Sequence, residues 1–230
     1  PEIVATLRSR RRLIPGAPPG AGKTTRVPLA LAGLIGNGPP IPGKILMLEP
    51  RRIAARMAAQ RMAATLGERL GQRVGLSTRV DRKVSQETVI EVITDGLFTR
   101  RLLADPELTG IGAVIFDEIH GRGLNADLGL TLSYEVQTAL RDDLHLLAMS
   151  ATLDTAALAQ KFDAPVIESE GRQYPVETRY LGRTQDRLED QMARAITRAL
   201  RETEGSILAF LPGAGEIRRT AERITLDEKT

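Results

Sequence analysis

The chain has 230 residues, with 32 Lys and Arg against 29 Asp and Glu, a formal charge of +3 and no cysteine. The length suits one full domain and part of another. Lack of cysteine excludes a disulfide framework and thiolate metal sites, and the mild positive charge is compatible with a polyanionic partner without forming a basic tail. Apolar runs such as 27–35 fall far short of the roughly 20 residues that span a bilayer. The Arg-rich start has no apolar signal core after it. A cytoplasmic protein without membrane association is expected.

Ile3, Val4 and Leu7 form a short helical pattern that runs into Arg8, Arg10, Arg11 and Arg12, a solvated helix end. A strand over Leu13-Ile14 is predicted to be poor, because Pro15 and Gly16 break strands. Ala17-Pro18-Pro19-Gly20-Ala21-Gly22-Lys23-Thr24 then forms a Gly-rich loop entering a helix. Such a loop aims backbone N–H groups, the helix dipole and a lysine ammonium at one point, which suits a triphosphate. Ala17 stands where the strict pattern has glycine, but Gly20 and Gly22 still permit close backbone approach. Pro19, Gly20, Ala21, Gly22, Lys23, Thr24 and Thr25 are the candidate nucleotide-binding residues. Lys23 is expected on the β and γ phosphates and the Thr24 hydroxyl on Mg²⁺.

A helix is predicted from Lys23 to about Leu34, bent at Pro28, followed by a Gly/Pro-rich loop over 36–43. Ile45 to Leu48 reads as a buried parallel strand, followed by Glu49-Pro50-Arg51-Arg52 and a helix from Ile53 to about Leu66. A strand over Thr88–Ile93 leads to Thr94-Asp95-Gly96, which opens a helix through Leu103. This alternation favours an α/β fold with a parallel sheet. Ala113 to Phe116 is the next buried strand and delivers Asp117-Glu118-Ile119-His120 at its carboxyl end, the edge where open parallel sheets bind ligands.

By itself an acidic pair after a strand is commonly a turn or a cap. Combined with the upstream loop it is how a nucleotide hydrolase holds Mg²⁺, with Asp117 toward the metal and Glu118 polarising water. A helix over 127–141 and a strand over 144–149 lead to Ser150-Ala151-Thr152, which alone reads as a helix cap. His145 reads as a structural histidine. The polar stretch 170–175 suggests a boundary between a domain at 1–171 and a second unit at 172–230, with strands over 176–180 and 206–211 and helices over 188–201 and 215–224. That second unit is too short for a complete α/β domain.

These segments, in this order, resemble a superfamily 2 DEAH/RHA-type ATP-dependent helicase of the bacterial HrpB-type branch. The resemblance covers nearly the whole chain and is carried by residues 17–24, Glu49 to Ala55, Thr94 to Leu97, Asp117 to His120, Ser150 to Thr152, Arg172 to Glu177 and Phe210 to Gly213. It implies a RecA-like P-loop domain with a mostly parallel sheet, followed by the start of a second RecA-like domain. ATP would lie between two such domains stepping 3′ to 5′ along single-stranded RNA, with DNA left open as the strand. It further implies that His120, Ser150 and Thr152 couple hydrolysis to strand movement and that Arg61 lies against adenine, a role suited to a planar guanidinium. Arg51, Arg52, Arg79, Thr94, Asp95 and Gly96 match nucleic-acid-contacting positions, where backbone contacts would bind without reading sequence.

Two departures stand out. Gly121-Arg122-Gly123 follows His120 where the family often has Glu-Arg, and the chain ends at Thr230 before the segment that supplies an arginine finger, worth a factor of about 10³ to 10⁵ in phosphoryl-transfer rate. Slow hydrolysis by this polypeptide alone is therefore expected. The alternative reading is a nucleotide-gated nucleic-acid-binding module with little turnover.

Overall fold

The computed structural model describes residues 2–16, 22–121, 123–150, 155–168, 175–182 and 185–224. By its contacts the chain divides into two compact units, residues 1–173 and 174–230. In chain order the first contains α1 (Glu2–Arg10), β1 (Arg12–Gly16), α2 (Lys23–Leu31), β2 (Lys44–Glu49), α3 (Arg52–Thr65), β3 (Val74–Ser77) and β4 (Arg82–Lys83). It continues through β5 (Ile90–Thr94), α4 (Asp95–Ala104), β6 (Ile111–Phe116), a 3₁₀ turn (Ile119–Gly121), α5 (Leu124–Ala139), β7 (His145–Ala148), α6 (Ala156–Phe162) and β8 (Val166–Glu168). The strands form one eight-stranded sheet in the order β4-β3-β5-β2-β6-β7-β1-β8. Every pairing is parallel except β3 with β4.

The central strands are apolar at nearly every position because both faces are covered. Ile45 and Met47, Ala113 and Ile115, and Leu147 project to one face, where Leu7, Leu29, Ala59 and Met62 of α1, α2 and α3 meet them. Leu46 and Leu48, Val114 and Phe116, and Leu146 project to the other, against Phe98, Leu102, Leu130 and Phe162 of α4, α5 and α6. This two-residue alternation within unbroken apolar runs is the pleat itself. Phe98 and Phe116 meet edge to face, with centroids 5.8 Å apart. Gly129 of α5 lies so close that a Cβ there would sit 3.1 Å from the Phe98 ring.

Three expectations are corrected. The strand before the phosphate loop is well formed: β1 is flanked by β7 and β8 despite Pro15 and Gly16. Pro15 is tolerated because it falls beyond the last residue paired with β7, Leu13 opposite Leu147, and its carbonyl still accepts the Ser150 N–H at 3.2 Å. Second, α2 stops at Leu31 rather than near Leu34, because Gly33 at φ 67° reverses the chain. The Gly33 N–H bonds to Ala30 O and the Leu34 N–H to Leu29 O, the paired bonds of a Schellman stop.

The third correction concerns the second unit, where α7 (Leu188–Glu202) and α8 (Ala214–Ala221) form. The predicted strands at 176–180 and 206–211 have no ladder among the described residues. Val176 and Phe210 are more than four-fifths exposed. Apolar β-type sequence makes a strand only where a neighbour supplies hydrogen bonds. Arg219 and Arg223 reach Glu189 and Asp190, each at 2.6 Å. No helix among the described residues is long and apolar enough to cross a membrane.

Candidate active site

The ends of β1, β2, β5, β6 and β7 converge on the carboxyl edge of the sheet. Gly22, at φ 78°, caps α2, and its carbonyl accepts the N–H groups of Thr25 and Arg26. Lys23, Thr24 and Thr25 therefore occupy the first helical turn, where the positive end of the helix dipole favours an anion. Pro19, Gly20 and Ala21, expected to complete the cradle, lie outside the described residues, as does Thr152. The Lys23 ammonium donates to the Ser150 carbonyl at 2.8 Å. Burial holds its pKa below the usual lysine value, against the opposing pull of Asp117 and Glu118.

The acidic pair meets this helix directly. Asp117, 5% exposed, accepts the Thr24 hydroxyl on Oδ2 at 2.6 Å and the Glu118 N–H on Oδ1 at 2.9 Å. Its own N–H extends the ladder by bonding to Leu48 O. Glu118 then turns through the left-handed region at φ 53°, which ends the strand and leaves its side chain exposed at the cleft. His120 Nε2 lies 2.9 Å from Glu118 Oε2. Ile119 between them is buried and its N–H bonds to Met149 O, which anchors the turn.

One residue escaped the sequence reading as a site residue. Glu49 ends β2 at 2% exposure, register partner of Thr94. Burial raises its pKa to about 8, with further contributions from the charge of Asp117, a side-chain hydrogen bond with it, and the charges of Glu118 and Asp95. Glu49 lies beside Asp117 at the ends of neighbouring parallel strands, and a like charge at that spacing disfavours the ionised form of Glu49. The available signal was an acid closing a buried strand that neighbours the strand ending in Asp117-Glu118. Asp95 is also buried, and burial raises its pKa.

A cleft of about 740 Å³ opens over these groups, bounded by Thr24, Thr25, Glu49, Asp95, Asp117, Glu118 and His120 on one side and by Pro50, Arg51, Met57 and Arg61 on another. Arg61 is exposed one helical turn beyond Met57, with Ala58 and Met62 anchoring that stretch of α3 in the core. Arg51 and Arg52 are exposed at the start of α3, Thr94 is half-buried at the start of α4, and Gly96 is exposed. Asp95 is buried and bounds the cleft, and Arg79 sits exposed on the turn after β3. His145 is structural, its Nδ1 3.1 Å from Gly112 O.

The paired Thr24 hydroxyl and Asp117 carboxylate are hard oxygen donors of the kind Mg²⁺ takes. No cluster of three His, Cys, Asp or Glu side chains able to hold a metal occurs among the described residues.

A phosphate-loop helix beside a strand-end acidic pair on a parallel sheet defines a P-loop NTPase class of site. The DEAD/DEAH box helicase model matches residues 2–160, and the chain belongs to that family. It is 49% identical over 226 residues to the ATP-dependent RNA helicase HrpB of Escherichia coli (strain K12), covering 97% of this chain and 27% of that protein. It is 35% identical over 230 residues to the ATP-dependent RNA helicase HrpA of the same organism, covering 97% and 17%. The crystal structure of the Escherichia coli DEAH/RHA helicase HrpB matches with a TM-score of 0.88 at 49% identity, over 97% of this chain and 28% of that one. The chain therefore spans about a quarter or less of the length of these relatives. The α/β architecture is RecA-like.

Proposed function

We propose that this chain is the nucleotide-binding part of an ATP-dependent RNA helicase, which binds Mg²⁺ and ATP and couples hydrolysis to movement along single-stranded RNA and duplex unwinding. The observation that carries this is the 2.6 Å bond between Thr24 and Asp117, which brings phosphate loop and acidic pair onto one point. The relatives' names support RNA as the polymer and ATP as the fuel.

Lys23 would exchange its contact with the Ser150 carbonyl for the β and γ phosphates, and the N–H groups of the α2 first turn would add to the cradle. Mg²⁺, when bound, neutralises developing phosphate charge; Thr24 and Asp117 are the residues that would hold it. Glu118 would orient and deprotonate the attacking water, with His120 holding its carboxylate. Arg61 and Met57 would flank the base, and Arg51, Arg52, Arg79 and Thr94 would hold the RNA backbone. Ser150 and Thr152 would pass the state of the phosphates to the strand. Residues 1–171 would form the first RecA-like domain and 172–230 the beginning of a second.

The test is equilibrium binding of a fluorescent ADP with Mg²⁺ to this chain and to Lys23→Ala, with and without single-stranded RNA. Binding abolished by the substitution supports the reading. Equal affinity in the two proteins, or none in either, overturns it.

A further inference from the structure

The basic surface assigned to RNA holds one acid without a role. Arg51 and Arg52 stand at the start of α3, Arg56 follows one turn later, and Arg79, Arg82 and Lys83 belong to the β3–β4 hairpin; all six are exposed. Asp81 lies among them, two residues after Arg79, and the Arg56 guanidinium donates to its Oδ2 at 2.6 Å. By charge alone a carboxylate in that place repels a phosphate backbone.

What Asp81 supplies is position. Two register pairs, Leu76 with Lys83 and Ser77 with Arg82, join β4 to β3 at the outer edge of the sheet, and so short a ladder fixes the turn weakly. Within itself the turn is stiff. The Thr78 N–H bonds to Asp81 O at 2.7 Å and the Thr78 hydroxyl accepts the Asp81 N–H at 3.1 Å, so the segment that carries Arg79 moves as a unit. Leu76 packs in the core on the α3 face of the sheet. Lys83 opposes it, and Asp81, two residues earlier, projects to that same face. The bond to Arg56 then fastens the turn to the helix whose start carries Arg51 and Arg52.

We infer that Asp81 is a positioning residue, which through Arg56 fixes the β3–β4 turn against α3 so that Arg79 meets the same RNA backbone as Arg51 and Arg52. This rests on the RNA role proposed for those arginines. Asp81 itself touches no phosphate.

The experiment measures fluorescence anisotropy of a labelled oligouridine with the wild-type chain, Asp81→Ala, Arg79→Ala and the double variant, with circular dichroism to verify folding. The sign of the change is decisive, because removing an acid from a basic surface tightens RNA binding if charge alone acts and weakens it if a clip is lost. Asp81→Ala should weaken binding about threefold, the scale of a partly exposed ion pair, while fluorescent ADP binds within about twofold of wild type. In the Arg79→Ala background the same substitution should weaken binding no further, since a residue that acts through Arg79 then has nothing to position. Tighter or unchanged binding by folded Asp81→Ala overturns the inference. So does an equal loss in both backgrounds, which would mark a general structural effect. Failure of the RNA reading looks different: Arg79→Ala would bind as tightly as wild type, or the wild-type chain would bind no oligouridine, and either result refutes the contact itself and the inference with it.

Discussion

The Thr24 hydroxyl donates to Asp117 Oδ2 at 2.6 Å across 93 residues of chain. The bond joins the first turn of α2, after β1, to the end of β6, two strands away in the sheet. It forms because parallel strands present all their carboxyl ends on one edge, so that residues remote in sequence reach the same cleft.

Glu118 stands beyond that bond with its carboxylate exposed and 2.9 Å from His120. Glu118→Gln keeps size and removes the base. ATP binding is expected to persist while RNA-stimulated turnover falls by about 10² or more. Phosphate release and nucleotide affinity, measured on the same preparation, check this; normal turnover would remove the base assignment.

Glu49 makes stability depend on pH in the ligand-free protein. Its folded-state pKa is raised from 4.5 to about 8, so the native state holds a proton that the unfolded chain has released. The contribution is complete below pH 4.5 and is lost as pH rises through 8. Melting temperatures measured without nucleotide or Mg²⁺ at pH 5.5 and 8.5 should differ less in Glu49→Gln than in wild type. Parallel behaviour of the two proteins would contradict this.

Glu91 produces the opposite slope. Burial pushes its pKa upward, but the Ser77 hydroxyl at 2.7 Å, Arg101 at 3.1 Å and Lys44 at 3.7 Å together hold it below the usual carboxylate value. Its stabilisation is present above pH 4.5 and is lost as pH falls through the lower folded value. Glu91→Ala should destabilise the first unit by less than the roughly 3–5 kcal/mol of a fully buried pair, since both cations keep access to solvent. Acid unfolding of the variant should lack the corresponding steep limb.

Gly112 opens the sequence of β6 to close approach by the preceding loop: a Cβ there would stand 1.7 Å from Pro42 O. Backbone atoms cannot rotate away as a side chain does. Gly112→Ala should cost at least about 3 kcal/mol, seen as a lowered urea midpoint. An unshifted midpoint would show that the 36–43 loop is free to move.

The alternation of central strands and helices, the parallel sheet and the arrival of Lys23-Thr24 and Asp117-Glu118 at one edge of it were legible in the sequence, whereas β3, β4 and β8 were not. Short apolar runs closed by turn or acidic residues are local signals, and in a parallel sheet each such closure marks the ligand-binding edge. Pairing is not local. The tertiary structure alone showed that β1 accommodates Pro15, because the lost donor falls beyond its last residue paired with β7, and that the apolar segments at 176–180 and 206–211 lack a ladder among the described residues. It alone turned Asp95 inward and set Glu49 against Asp117. An isolated acid at a strand end has no special chemistry in the sequence; its proton affinity is decided by which other carboxyls the fold buries beside it.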